Sequence, residues 1–161
     1  MGGSTFAVQA SNTYTSNYPE YLAWDGEAST CWANKQATST GWYSFYNPDP
    51  IKITSIQITN DNSSFSTPAT GAVYGSDDGN NWIYLSDFTN SNATNGSTWT
   101  MTVNSTSFYK YHKIQINSSS NASACAFAEI HPVAYKMQTV VAPDYVNAWA
   151  SNCAVKWVIK Y

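Results

Sequence analysis

"AVYGSDDGNNWIYL", residues 72–85, is the stretch on which the fold turns. Asp78-Gly79 supplies a corner that needs a positive φ, and Asn80 and Asn81 both tolerate the left-handed region. Apolar and aromatic residues flank that corner on both sides. The pattern predicts a β-hairpin whose second strand begins at Trp82, with the tryptophan plugging the core.

Strand signals continue outward in both directions. "WIYLSDF" (82–88) alternates in part, with Trp82 and Tyr84 on one side and Ile83 and Leu85 on the other. "TWTMTV" (98–103) alternates cleanly through Trp99, Met101 and Val103. In "IKITSIQIT" (51–59) the apolar phase slips, from Ile51 and Ile53 to Ile56 and Ile58. Such a slip predicts either a bulge or a strand buried on both faces. "GWYSFYN" (41–47), "FYKYHKIQI" (108–116) and "FAEIHPVAY" (127–135) are further strands by their aromatic and β-branched content. Helical periodicity is absent beyond two turns. Only "YPEYLAW" (18–24) predicts a short helical turn, with Pro19 near its start. Short strands separated by loops dense in Asn, Ser, Thr, Gly and Asp argue for a sandwich or barrel over βαβ units.

The bulk composition narrows the function classes. The chain has 161 residues, 16% aromatic and only 11% charged, with a net charge of −3 and no arginine. Its lysines are scattered, so no cationic face for nucleic acid and no polybasic membrane patch is expected. No apolar run approaches the roughly 20 residues of a membrane helix, so no insertion is expected either. The first residues carry neither a charged region nor an apolar one of the signal-peptide kind. The expectation is either a domain cut from a secreted protein or a complete cytoplasmically made protein, the second including a virion component released by lysis. Cys31, Cys125 and Cys153 lack the spacing of a zinc site and read as small buried hydrophobes. Residues 1–136 read as the domain and 137–161 as an extension. "APDY" (142–145) breaks the chain, and Val155, Trp157, Ile159 and Tyr161 share one face of a terminal strand. That strand either covers a sheet edge or docks a partner.

The order of these features resembles the discoidin domain, also called the coagulation-factor type C domain. "YLAWDGEASTCW" (21–32) looks like its early hydrophobic-x-Asp-Gly motif followed by Thr-x-Trp. "GWYSFYNPDPIKITSIQITN" (41–60) is similar to its tryptophan strand, turn and paired strands. "AVYGSDDGNNWIYL" matches its Gly-Ser-x-Asp-Gly-x-x-Trp hairpin, and "YKYHKIQI" (109–116) and "AFAEIHPVAY" (126–135) fall where its last strands fall. The likeness spans residues 5 to 136. It implies an all-β, eight-stranded jelly-roll sandwich whose loops at one end bind ligands. The terminal cysteine pair of animal members is missing, which points to a bacterial or phage member. The arginine that sugar-binding members often use is missing too.

By residue type, Asp25 is open to three readings: a turn aspartate, a catalytic carboxylate or a metal ligand. The resemblance implies a structural calcium ion beside the ligand loops. At the matching positions the ligands are the side chains of Asp25, Thr30 and Glu129 and the main-chain carbonyls of Leu22, Glu27 and Ala128. Six to eight oxygens is what calcium takes. Glu129 sits in the apolar segment "AFAEI", on a face expected to hold Phe127 and His131. A carboxylate there needs compensation, from the shared ion or from a lysine. If one ion gathers both segments, Cys31 and Cys125 approach one another and a bridge between them becomes feasible.

For a ligand site, loops 33–41, 60–70 and 117–126 are expected to converge. Asn34, Lys35, Asn62, Phe65 and Asn121 are the candidates, with Gln36, Asn60 and Asp61 beside them. Amides donate and accept at once, which suits sugar hydroxyls. Phe65 is either a stacking ring or a staple holding its loop to the barrel. Trp32, Trp42 and Trp82 read as core. The expected function is a non-catalytic carbohydrate-binding or adhesion module for glycans or polysaccharide, in a secreted chain or a phage fibre or decoration protein. A virion scaffold that contacts other proteins through 137–161 is the alternative. Neither GxSxG, HExxH nor a P-loop is present, so an enzyme is not expected.

Overall fold

The computed structural model describes residues 6–35, 39–121, 124–139 and 156–160. Nine strands follow in chain order: β1 (Ala7–Ala10), β2 (Trp32–Ala33), β3 (Gly41–Asn60), β4 (Pro68–Ser76), β5 (Ile83–Thr89), β6 (Thr98–Thr102), β7 (Tyr109–Ser119), β8 (Ala126–Thr139) and β9 (Lys156–Lys160). The first eight are the strands of the expected jelly roll. Between β1 and β2 lies a 3-10 helix, Glu20–Trp24, where the short helical turn was expected. No α-helix occurs among the described residues, and no helix among them is long and apolar enough to cross a membrane.

The strand β3 serves both layers. Its first arm, Gly41 to Tyr46, pairs with β1 and β7. Its second arm, Ile51 to Asn60, pairs with β6 and β8. Asn47-Pro48-Asp49-Pro50 makes the corner between them; a proline lacks a ladder donor and suits such a break. One layer is therefore β1-β3-β7-β4-β5, and the other is β6-β3-β8, with β2 and β9 on the far edge of β8. The sequence boundary set at 136 falls within β8. The β9 strand pairs with the last five residues of β8, from Tyr135↔Lys160 to Thr139↔Lys156. Cys153, Val155 and Tyr161 lie outside the described residues.

The phase slip in "IKITSIQIT" is a bulge. The β3–β8 register shifts between Ile53 and Ser55, so Ile51, Ile53, Ile56 and Ile58 all reach the core. Trp32, Tyr43, Phe45, Phe127, Ile114, Ile116 and Ile130 fill the rest of it. Asn60, fully buried, closes one end of the core. Its amide nitrogen donates to the Asn92 and Thr94 carbonyls at 2.8 and 3.0 Å, and its oxygen accepts from the Trp99 indole at 2.9 Å.

The hairpin is present but the role expected of Trp82 is not. Gly79 has φ +75°, and the Asp78 carboxylate accepts from the Asn80 and Asn81 amides at 2.8 Å each. Those bonds hold the Asp78 carboxyl well below the usual range. Trp82, however, is half-buried on the outer face, with the Lys113 ammonium 4.4 Å from its ring centroid. Trp42 is half-buried too, because Tyr43 and Phe45 take the inward parity of β3. A cation–π partner on β7 stabilises Trp82 outside the core. Of the three tryptophans read as core, only Trp32 is. A second bulge, opposite Val73 and Tyr74, breaks the alternation expected for 82–88. Ile83 and Tyr84 are both exposed while Leu85 and Ser86 are both buried.

His112 points inward from β7, stacked on Phe45 at 5.4 Å between centroids. Neither ring nitrogen has a hydrogen-bond partner among the described residues. Burial lowers its pKa to about 3. The unfolded chain therefore binds a proton below about pH 6.5 that the folded chain refuses. Stability is expected to fall as pH drops from about 6.5 toward 3. His112→Phe, which keeps the ring stack, is expected to flatten that part of the curve in thermal melts at fixed ionic strength. An unchanged slope in the variant would remove His112 as its source.

Candidate functional site

The 3-10 helix ends at Trp24, and Gly26, at φ +79°, then reverses the chain. Within the reversal Asp25 Oδ1 accepts the Glu27 amide at 2.9 Å. The Thr30 hydroxyl lies within hydrogen-bonding distance of two acceptors, Asp25 Oδ2 at 2.8 Å and the Glu27 carbonyl at 2.9 Å. Burial pushes the Asp25 carboxyl up and is the largest single influence on it. The bonds from Thr30 and Glu27 outweigh it and hold the group below its ordinary value.

Across this loop lies β8. Its register against β3 shifts between Glu129 and Phe127, so Ala128 is an extra residue. The expected face of Glu129 is corrected by that bulge. Phe127 pairs with Asn60 and Ile130 with Ile58, and both enter the core. Glu129 is directed with His131 instead, toward the loop 25–30. It is 4% exposed, and neither carboxylate oxygen has a hydrogen-bond partner among the described residues. The His131 imidazole, on a largely exposed side chain, stands 3.8 Å from Oε2. Burial raises the Glu129 carboxyl, and the adjoining Asp25 carboxylate raises it further. The amides of Gly26 and Glu27 pull the other way without reaching good bonding geometry.

Two adjoining carboxylates, one buried and without a hydrogen-bond partner among the described residues, fit an oxygen-seeking divalent cation. Asp25, Glu27, Thr30 and Glu129 are brought together, with Leu22 in the preceding helix and Ala128 in the bulge. Among the described residues no cluster of three or more His, Cys, Asp or Glu side chains is placed to hold a metal. The Thr30 hydroxyl and main-chain carbonyls would have to supply the remaining ligands, which suits calcium and not zinc.

The expected ligand loops do meet at one end, but their residues differ in use. Asn34 is fully buried. Its amide nitrogen donates to the Thr40 carbonyl at 3.1 Å, and its oxygen accepts the Cys125 amide at 2.6 Å. It ties the 34–40 loop to the segment before β8, so its place as a ligand residue is corrected. Lys35 is exposed, and its amide donates to the Asn12 side chain. Asn62 is exposed and abuts Gly96. Asn121 is exposed, but both its carbonyl and its side-chain oxygen accept from Ser66. Asn60 and the buried Asp61 are architectural, the latter capping the Ser63 amide at 2.8 Å. Gln36 lies outside the described residues.

Phe65 is half-buried in a three-ring cluster that sequence reasoning missed. Its centroid is 5.2 Å from Tyr14 and 5.0 Å from Tyr18, both edge to face. The three rings cover a patch of Cys31, Ala33, Ala126 and Ala128 on the outside of β8. Phe65 is thus a staple whose half-exposed neighbours widen it into a rim. Only the run of small residues beneath hinted at rings above, and the partners are some 50 residues away in sequence.

Cys31 and Cys125 are both free. Strand parity explains why the feasible bridge does not form. Cys125 enters the main core with Phe127, while Cys31 joins the outer patch with Ala33. Burial raises both thiols, and Asp61 beside Cys31 adds to its rise.

A family model described as F5/8 type C domain matches residues 7–130. No curated protein matches the chain. Among solved structures, the family 32 CBM of NanJ from Clostridium perfringens, in complex with galactose, is 20% identical with a TM-score of 0.65. It covers 79% of this chain and 92% of its own. A second Clostridium perfringens structure, in complex with GalNAc-β-1,3-galactose, is 18% identical with a TM-score of 0.67, covering 79% and 94%. Chitosan-binding module 1 from the chitosanase/glucanase of Paenibacillus sp. IK-5 is 16% identical with a TM-score of 0.64, covering 78% and 92%. At these identities the likeness shows the fold: the discoidin-type β-sandwich.

The raised Glu129 carboxyl sets a pH dependence. Its folded state holds a proton above the ordinary glutamate range, which begins near 4.5. Stability from this group is complete below that value and lost as pH rises through the raised one. In chelator, Glu129→Gln is expected to abolish this part of the decline in melting temperature as pH rises above about 4.5. An identical decline in the variant would place the cause elsewhere.

Proposed function

The chain belongs to the F5/8 type C domain family, and on that footing we propose that it is a non-catalytic carbohydrate-binding module, with a glycan as its ligand. One observation carries the reading: the rim of Tyr14, Tyr18 and Phe65 covers the outer patch of β8, the strand that also presents Glu129, and exposed Asn62 and Lys35 lie three residues before Phe65 and two after Ala33. Aromatic faces take the C–H side of a sugar ring, and amide and ammonium groups take its hydroxyls. The sugar-bound structures of the same fold support the reading in kind. Catalysis is disfavoured by the carboxylates. Asp25 and Glu129 press against each other, while a glycosidase needs its two acids apart on either side of the scissile bond.

We propose calcium as the structural ion, held by Asp25, Glu129 and the Thr30 hydroxyl with carbonyls of Leu22, Glu27 and Ala128. Bound there, it would neutralise the buried carboxylate and brace the loop that leads into β2. An extracellular or virion-surface setting is part of the proposal, because a glycan reader works where glycans are displayed. The pairing of β9 with β8 fits the reading in which the end of 137–161 covers a sheet edge, and a docking role toward a virion protein stays the alternative.

Calcium at about a hundredfold excess over Kd is expected to raise the melting temperature by roughly 5–10 °C. Asp25→Asn and Glu129→Gln are expected to lose the rise, and a rise that survives both would move the ion elsewhere. On a glycan array the wild type is expected to bind a defined set of sugars. Phe65→Ala and Asn62→Ala should each weaken calorimetric affinity for the best of them by about tenfold, near 1.4 kcal/mol. Silence across a broad array would overturn the carbohydrate reading in favour of the scaffold.

A further inference from the structure

A second pocket of about 660 Å³ opens on the flank of the sandwich, lined by Phe6, Val8, Tyr21, Trp24, Asp25 and Asn47 among others. Asn47 is at the corner of β3, whereas the rim loops spring from Gly41 and Asn60 at the two far ends of that strand. The pocket and the Phe65 rim are therefore separate places. They share the loop at Asp25, which lines the pocket and belongs to the carboxylate pair.

The walls are aromatic and rigidly set. Trp24 packs edge to face on Phe45 at 5.2 Å, and Phe6 packs edge to face on Trp24 at 4.8 Å. Phe6 is 45% exposed and Tyr21 62% exposed, so two large rings are left in water at the pocket mouth. The polar members are Asp25 and Asn47. Asn47 Oδ1 accepts the Asp49 amide at 3.2 Å, which orients the carboxamide and leaves its NH2 group as a donor.

That lining selects a ligand by chemistry. No lysine or histidine is among the lining residues, so an anion meets only a carboxylate. A wholly apolar guest would leave the Asn47 NH2 group without water or partner. A pyranose ring satisfies both demands, with a C–H face for the rings and hydroxyls for the amide and the carboxylate. The volume falls within the range of roughly 300–1,000 Å³ typical of small-ligand sites. We propose that this pocket is a second carbohydrate subsite that binds a single pyranose ring. It rests on the carbohydrate-binding reading above and extends it to two sites on one module.

The test is a titration of calcium-saturated, 15N-labelled protein with the methyl glycosides of galactose, N-acetylgalactosamine, N-acetylglucosamine and glucosamine, one at a time. The Trp24 indole N–H reports on the pocket, and the Asn62 side-chain amide reports on the rim. At least one glycoside is expected to move the Trp24 resonance saturably, with a Kd on the order of 1 mM, as one ring on two aromatic faces would give. Tyr21→Ala, at an exposed position, should weaken that response at least tenfold and leave the Asn62 response intact. Asn47→Ala should weaken it too, which keeps the test open if one variant folds poorly. Movement of Asn62 alone would sink the pocket and keep the rim. Movement of Trp24 alone would support the pocket and sink the rim. Silence of both resonances with all four glycosides would overturn both readings, as would a Trp24 response unchanged in both variants for the pocket alone.

Discussion

Glu129 is buried beside another carboxylate, with no hydrogen-bond partner for either of its oxygens among the described residues. An uncompensated charge in such a place costs several kcal/mol, comparable to a large share of a small domain's whole stability. Burial and Asp25 favour a proton on Glu129, His131 stands 3.8 Å from it, and the proposed cation shared with Asp25 would meet the same cost. The proton and the cation each couple the 25–30 loop to β8. The loop runs directly into Cys31, Trp32 and Ala33, and those three residues link everything else. Trp32 packs between Tyr43 and Phe127 in the core, at 5.2 and 4.8 Å. Cys31 and Ala33 lie under the Tyr14, Tyr18 and Phe65 rings. The charge state of one carboxylate is therefore linked mechanically to both the core and the rim.

The geometry of β3 explains why one end of the molecule collects the loops. A single strand of 20 residues turns at Asn47-Pro48-Asp49-Pro50 and returns in the other layer. Its two ends, Gly41 and Asn60, come to the same side, and each leads into a loop. Asn34 and Asn60 then lock those loops to their neighbours with fully buried amides. At the corner end an exposed ion pair between Asp49 and Lys136 takes the place of those buried amides. There the surface is set by the 3-10 helix and the start of β1, and it remains open between exposed rings.

Much of the fold is legible in the residues because its signals are local. Asp78-Gly79 needs a left-handed corner, and the slip among Ile51, Ile53, Ile56 and Ile58 needs an extra residue. Both requirements can be met in only one or two ways, and the structure meets them as expected. The Asp25 and Glu129 pairing was legible only through family resemblance, since more than a hundred residues separate them. The misreadings share a different cause. Phe127 and Glu129 have the same parity in sequence, and a bulge at Ala128 divides them. Trp82 looks like a core residue by size, yet a lysine on β7 offers its ring a partner outside. The bulge at Ala128 and the cross-strand cation at Trp82 leave no such phase slip beside the residues they redirect.

Asn34 shows why amides in such loops mislead. A loop that leaves the ladder strands its own backbone groups, and an asparagine side chain is the simplest replacement for the missing strand. Asn34 bonds the Cys125 amide with its side chain and the Cys125 carbonyl with its own N–H, imitating a strand pair. Asn60 gathers three loop acceptors in the same manner. In a chain this rich in Asn, Ser and Thr, loop amides such as Asn34 and Asn60 are consumed by architecture. In the proposed carbohydrate-binding reading, recognition falls to side chains whose burial is incomplete and whose polar groups the backbone does not need. Half-exposed aromatic rings meet that condition, because a ring offers the backbone little to bond. On this surface Tyr14, Tyr18 and Phe65 meet it at the loop end, and Phe6 and Tyr21 meet it at the flank.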